Sequence, residues 1–66
     1  MKVVCNGKEL ELGTRPTVSQ LLDELGLRAP YALVELNGEP VERERYAETA
    51  LQEGDTVVVA RPVAGG

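Results

Sequence analysis

Few residues in this 66-residue chain have types that can do chemistry, and the most suggestive lie at its end. The chain closes on Val63-Ala64-Gly65-Gly66. At ordinary glycine usage a Gly-Gly end arises by chance in roughly 0.5% of chains, so the bland alternative, a frayed terminus, has to be weighed against it. A terminal carboxylate is inert until it is activated, for instance as an acyl-adenylate. To be activated it must reach a nucleotide through a narrow channel in another protein. Residues without a Cβ allow that close backbone approach. They also leave the terminal carbonyl carbon unshielded against an incoming nucleophile. The expectation is that Gly66 is the reacting residue, with Gly65, Ala64 and Val63 as the tail that delivers it.

The other candidates are weaker. There is no histidine, so the commonest general base is missing. With a single cysteine there is no internal disulfide, and no metal site of the zinc type is expected. Cys5 ends an apolar run on the same face as Val3, where a free cysteine usually behaves as a small buried hydrophobe. No nearby cation in the sequence would lower its pKa, as a reactive thiol requires. Ser19, the one serine, falls in the first turn of an expected helix. No catalytic residue is expected.

Eleven acidic against seven basic residues give a formal charge of −4. That balance excludes the Lys/Arg footprint of a nucleic-acid binder. It suits a basic patch on a partner protein. No apolar stretch approaches membrane-spanning length, and Met1 to Val4 give way at once to polar residues. A soluble, cytoplasmic protein with one small core is expected, held by regular structure alone because no covalent staple is available.

The elements that must carry the tail can be read from the pattern. Asn6-Gly7 between apolar runs signals a hairpin, with Glu9-Leu10-Glu11-Leu12 returning at the strand period of two. Thr17 and Gln20 form a capping box ahead of Val18, Leu21, Leu22 and Leu25, which make one helical stripe of about ten residues ended by Gly26. A third strand is expected over Tyr31 to Leu36, ended by Asn37-Gly38. A short edge piece comes next at Pro40-Val41, then an irregular helical turn within Glu42 to Thr49. Thr56 to Ala60 is the last strand. This order predicts an α+β roll of the β-grasp, ubiquitin-like type: a mixed sheet of four to five strands with one main helix on one face. Residues 1–61 are expected to form the domain and 62–66 a flexible Gly-Gly tail. Its expected core is Val3, Leu10, Leu12, Val18, Leu21, Leu22, Leu25, Val34, Leu36, Val57 and Val59. By strand alternation Val4, Leu33, Val58 and Ala60 then face the open side of the sheet, rimmed by acidic residues such as Glu35, as a patch for partners to grip.

Across essentially its whole length the sequence resembles the ThiS family of sulfur carriers in thiamine thiazole synthesis. The matching features are the strand ending in Asn6-Gly7, the Asn37-Gly38-Glu39 turn, Glu44-Arg45-Tyr46, Gly54-Asp55 and the terminal Val63-Ala64-Gly65-Gly66. It departs at Pro40-Val41, where the family pattern sets the proline just after the valine. The resemblance implies a protein cosubstrate with no bound cofactor. An E1-like adenylyltransferase (ThiF) would use ATP and magnesium to adenylate Gly66. A persulfide donor would convert the adenylate to a thiocarboxylate, and thiazole synthase (ThiG) would take the sulfur. Related readings are a carrier for molybdopterin synthesis or tRNA thiolation, a non-covalent ubiquitin-like module, and a conjugate to target lysines.

Overall fold

Two Asn-Gly turns set the topology. Strands β1 (Lys2–Cys5) and β2 (Lys8–Glu11) run antiparallel, with Cys5 opposite Lys8 across the two-residue turn. Asn6 has φ 52° and Gly7 φ 83°, the left-handed region that asparagine and glycine tolerate and that such a turn demands. The same device recurs at Asn37 (φ 52°) and Gly38 (φ 87°). There it joins β3 (Leu33–Leu36) to the two-residue edge strand β4 (Glu39–Pro40). The computed structural model describes residues 1–28 and 31–61.

Helix α1 spans Val18–Glu24, shorter than the stripe suggests. Its start is the expected capping box: the Gln20 N–H donates to Thr17 Oγ1 at 3.2 Å, and the Thr17 N–H donates to Gln20 Oε1 at 2.9 Å. Its end is a Schellman closure around Gly26 (φ 72°). The Gly26 N–H donates to the Asp23 carbonyl at 3.0 Å and the Leu27 N–H to the Leu22 carbonyl at 2.9 Å. The closure places Leu27 against the core.

Strand β5 (Thr56–Ala60) completes a five-stranded mixed sheet in the order β2-β1-β5-β3-β4. It is parallel to β1, with Val4 beside Thr56 and Cys5 beside Val57, and antiparallel to β3. The expected edge piece is β4, and the expected irregular turn is a 3₁₀ turn at Arg43–Arg45. The stretch after that turn is tied to the helix start: the Val18 N–H donates to the Thr49 carbonyl at 3.0 Å, and the Leu51 N–H to the Pro16 carbonyl at 2.9 Å. The third strand begins at Leu33, later than expected, leaving Tyr31 63% exposed.

Val3, Leu12, Val18, Leu21, Leu22, Val34, Val57 and Val59 are buried as expected, while Leu10 and Leu36 are partly buried at the margin. Leu25 is a correction. It sits at the C-cap, 37% exposed, because the chain has already left the helix and Leu27 takes the place against the core. The core also holds Cys5, Ala32, Tyr46 and Leu51. The Tyr46 hydroxyl donates to the Ala32 carbonyl at 2.9 Å, so this large side chain is buried with its polar atom satisfied.

Burial sets the stability prediction. Leu22→Ala should cost about 2–5 kcal/mol, the range for a buried leucine. Leu25→Ala should cost less than about 1 kcal/mol, as at an exposed position. Thermal melts of the two variants beside the parent check this, and equal losses would overturn the assigned helix face.

Candidate functional site

Strand β5 leads directly to the tail, and side chains from both Asn-Gly turns hold it. At its start the Thr56 N–H donates to Asn37 Oδ1 at 2.9 Å, and Asn37 Nδ2 donates to Asp55 Oδ1 at 3.2 Å. Near its end the Val59 N–H donates to Asn6 Oδ1 at 2.8 Å, and Asn6 Nδ2 donates to the Val59 carbonyl at 3.1 Å. Ala60 and Arg61 beyond this grip are exposed. Val63, Ala64, Gly65 and Gly66, the tail singled out from the sequence, lie outside the described residues.

The helix packs on one face of the sheet, and the opposite face carries the expected apolar residues. Leu33 is 53% exposed and Val58 46%; Ala60 is exposed and pairs directly with Leu33. Val4 is on the same face but half-buried, one row back beside Thr56, so it borders the patch formed by the other three. Glu35 lies inside this surface instead of on its rim. It pairs with Val58 on one side and with Pro40 on the other. The two-residue turn at Asn37-Gly38 fixes that register, so Pro40 as a member of the surface was readable from the turn. A groove of about 300 Å³ runs here, lined by Leu33, Glu35, Pro40, Val41, Val58 and Ala60 among others. A second groove of about 290 Å³ lies between Leu12, Pro16, Gln20, Asp23 and Glu24, and no residue of β3 or β5 lines it.

The profile of the ThiS family matches residues 2–66. The chain belongs to the ThiS family. It is 30% identical to the sulfur carrier protein ThiS of Escherichia coli K12, an alignment covering all of both chains. It is 36% identical to the thiamine biosynthesis protein (ThiS) of Geobacter metallireducens. The crystal structure of that protein aligns over 100% of both chains with a TM-score of 0.83. Its solution structure gives the same TM-score over all of this chain and 88% of that one. A thiazole synthase from Paramagnetospirillum magneticum is 38% identical over all 66 residues, and the chain spans 20% of that protein's length. Membership makes this chain a sulfur carrier, not a catalyst, and gives it the β-grasp fold.

A sulfur carrier with a cysteine invites the question of which group holds the sulfur. In this ThiS-family chain Cys5 is in the core, 4% exposed, and burial pushes its thiol pKa up. Both effects disfavour the nucleophilic thiolate. The upward direction also fixes a pH effect. A thiol pKa raised by folding contributes stability that is fully present below the unfolded thiol's pKa and is lost as pH rises through the folded value. Alkylation of Cys5 by iodoacetamide near neutral pH should therefore be at least about tenfold slower in the folded chain than in the urea-unfolded chain. Equal rates, followed by mass spectrometry, would show an accessible thiol and reopen its candidacy.

Proposed function

We propose that the Gly66 carboxylate is the sulfur-bearing group and that the folded domain serves to deliver it. A carboxylate oxygen attacks the α-phosphorus of ATP on an E1-like adenylyltransferase (ThiF), with magnesium on the released pyrophosphate. The terminal sulfur of a persulfide then attacks the Gly66 carbonyl carbon and expels AMP. Cleavage of the resulting acyl disulfide by a thiol leaves the Gly66 thiocarboxylate and an oxidised disulfide. The thiocarboxylate is anionic and soft near neutral pH, so it needs no catalytic group from the carrier to attack a carbonyl substrate on thiazole synthase (ThiG).

The observation that carries this reading is the end-to-end match with a sulfur carrier, extending through Gly65-Gly66, in a chain whose one cysteine is buried in the core. The thiazole synthase with a segment like this chain supports that enzyme class as the acceptor. It favours thiamine synthesis over molybdopterin synthesis or tRNA thiolation. A cytoplasmic setting belongs to the same reading; among the described residues no helix is long and apolar enough to cross a membrane.

After incubation with the cognate adenylyltransferase, ATP, magnesium and a persulfide donor, intact mass should show one oxygen replaced by sulfur. Deletion of Gly65 and Gly66 should abolish the change, and Cys5→Ser should leave it intact. Sulfur uptake that survives the deletion but is lost with Cys5 would overturn the mechanism.

The open face is the surface on which both enzymes would grip the carrier, since Leu33, Val58 and Ala60 lie beside the root of the tail. The two enzymes should then compete for one carrier. Val58→Asp and Leu33→Asp, confirmed as folded by circular dichroism, should each weaken both complexes at least about tenfold, as loss of a central apolar contact does. Two enzymes binding side by side, or unimpaired by both variants, would exclude this surface.

A further inference from the structure

Asn6 is a turn residue, but the turn alone does not require its carboxamide. Its φ of 52° is a conformation that glycine or aspartate would also meet. Its side chain does something the turn does not ask for. In the parallel β1–β5 pair the Asn6 N–H donates to the Val57 carbonyl at 2.9 Å, and there β1 turns away into the hairpin. Both backbone groups of Val59 point to the side β1 has vacated. Both are taken by Asn6: Oδ1 accepts from the Val59 N–H at 2.8 Å, and Nδ2 donates to the Val59 carbonyl at 3.1 Å. A carboxamide has the donor and acceptor of one peptide unit, so the side chain extends the ladder by one peptide beyond the end of the strand.

This extension lies at the root of the tail, where small changes in direction are magnified. Without it, the last residues of β5 are held on one side only, by the pairing of Val59 and Ala60 with Val34 and Leu33. With it, the strand is fixed on both sides to within two residues of Arg61. Five residues separate Arg61 from the end of the chain, a reach of at most roughly 17 Å. For a tail drawn out to that full reach, a swing of about 10° at the root would displace the end by about 3 Å, as much as the whole approach distance of reacting atoms.

We propose that Asn6 is a positioning residue for the tail, fixing the direction in which the chain leaves β5 by clamping the backbone of Val59. The proposal rests on the reading that Gly66 is the group delivered. Asn6 touches neither nucleotide nor sulfur and acts through Val59 alone.

The opposite end of the same strand supplies the control. Asn37 is also a left-handed asparagine before glycine, and its side chain also bonds the β5 backbone, but at Thr56, far from the exit. Asn6→Gly and Asn37→Gly each keep a residue that tolerates the turn and each remove the side-chain bonds to β5. In the free chain, Asn6→Gly should raise amide hydrogen exchange at Val59 by at least about tenfold, with Val57 little changed. Asn37→Gly should instead raise exchange at Thr56. With the cognate adenylyltransferase and ATP–magnesium, pyrophosphate release from Asn6→Gly should show kcat reduced about tenfold at nearly unchanged KM, because the docking face is untouched. Asn37→Gly should keep the parent's kcat at equal folded fraction.

Unchanged Val59 exchange in Asn6→Gly would overturn the clamp, and a kcat loss equal in both variants would reduce it to general stability. A parent chain that is not adenylated would instead sink the carrier reading, and the exchange measurement would still decide whether Asn6 holds the strand. Asn6→Asp keeps the acceptor and the turn preference but loses the donor, and its kcat should fall between the parent's and that of Asn6→Gly. An Asn6→Asp kcat below that of Asn6→Gly would argue that charge, not the missing hydrogen bond, drives the defect.

Discussion

The parallel pairing of β1 with β5 is the contact on which the fold turns. Val4 lies beside Thr56 and Cys5 beside Val57, residues some fifty positions apart, so the whole of α1, β3, β4 and the 3₁₀ turn is contained in the crossover between them. Parallel strands cannot be joined by a tight turn, and the crossover must pack back on the sheet. Here it does so through Val18, Leu21 and Leu22, each at most 1% exposed, over the same face as Val3 and Val57. Closing so long a loop costs entropy that local contacts do not recover. Val57 is fully buried in the core that offsets this cost, and the pairing is what brings the last strand to the middle of the sheet.

A core of this size has no margin for an unsatisfied polar group. Among the described residues no buried side-chain polar atom lacks a partner. The long segment after β4 has little regular structure, and its backbone is instead satisfied against the helix start. Thr49 and Tyr46 accept from the Val18 and Ser19 N–H groups, which belong to the helix's first turn and have no partner within it. The capping box and these two contacts together complete the N-terminal end of α1. The irregular segment is thus part of the helix cap, and Tyr46 and Leu51 anchor it to the core.

What the sequence disclosed and what it hid divide along one line. Features settled within a few residues were legible: both Asn-Gly turns, the Thr17–Gln20 box, the Gly26 closure and the alternation of Val57 and Val59. Features settled by distant neighbours were not. Leu25 keeps the helical period, yet it is exposed, because the period says nothing of where the chain turns away. Tyr46, Ala32 and Leu51 have no periodic company, and their burial comes from the Tyr46–Ala32 hydrogen bond and the docking of the irregular segment. Glu35 looked like a rim residue until the strand order put Val58 on the side of it away from Pro40. The open-face residues Leu33, Val58 and Ala60 were legible because alternation needs only the local strand, whereas the second use of Asn6 and Asn37 needed β5 beside them.

If Gly66 is activated as proposed, the inertness of the folded body is itself a condition for delivering it. An acyl-adenylate reacts with any thiolate or amine that reaches it, so nucleophiles on the carrier would compete with the intended sulfur donor. The chain has no histidine to generate such a nucleophile, and its one thiol lies in the core with its pKa raised by burial. The one serine lies in the first turn of α1, on the covered side of the sheet from which Leu33, Val58 and Ala60 point away. Lys2 and Lys8, the only lysines, belong to β1 and β2, on the opposite side of β5 from Leu33. Aliphatic contacts and backbone amides can hold and aim a tail without reacting with it, whereas a body rich in catalytic side chains would consume its own cargo.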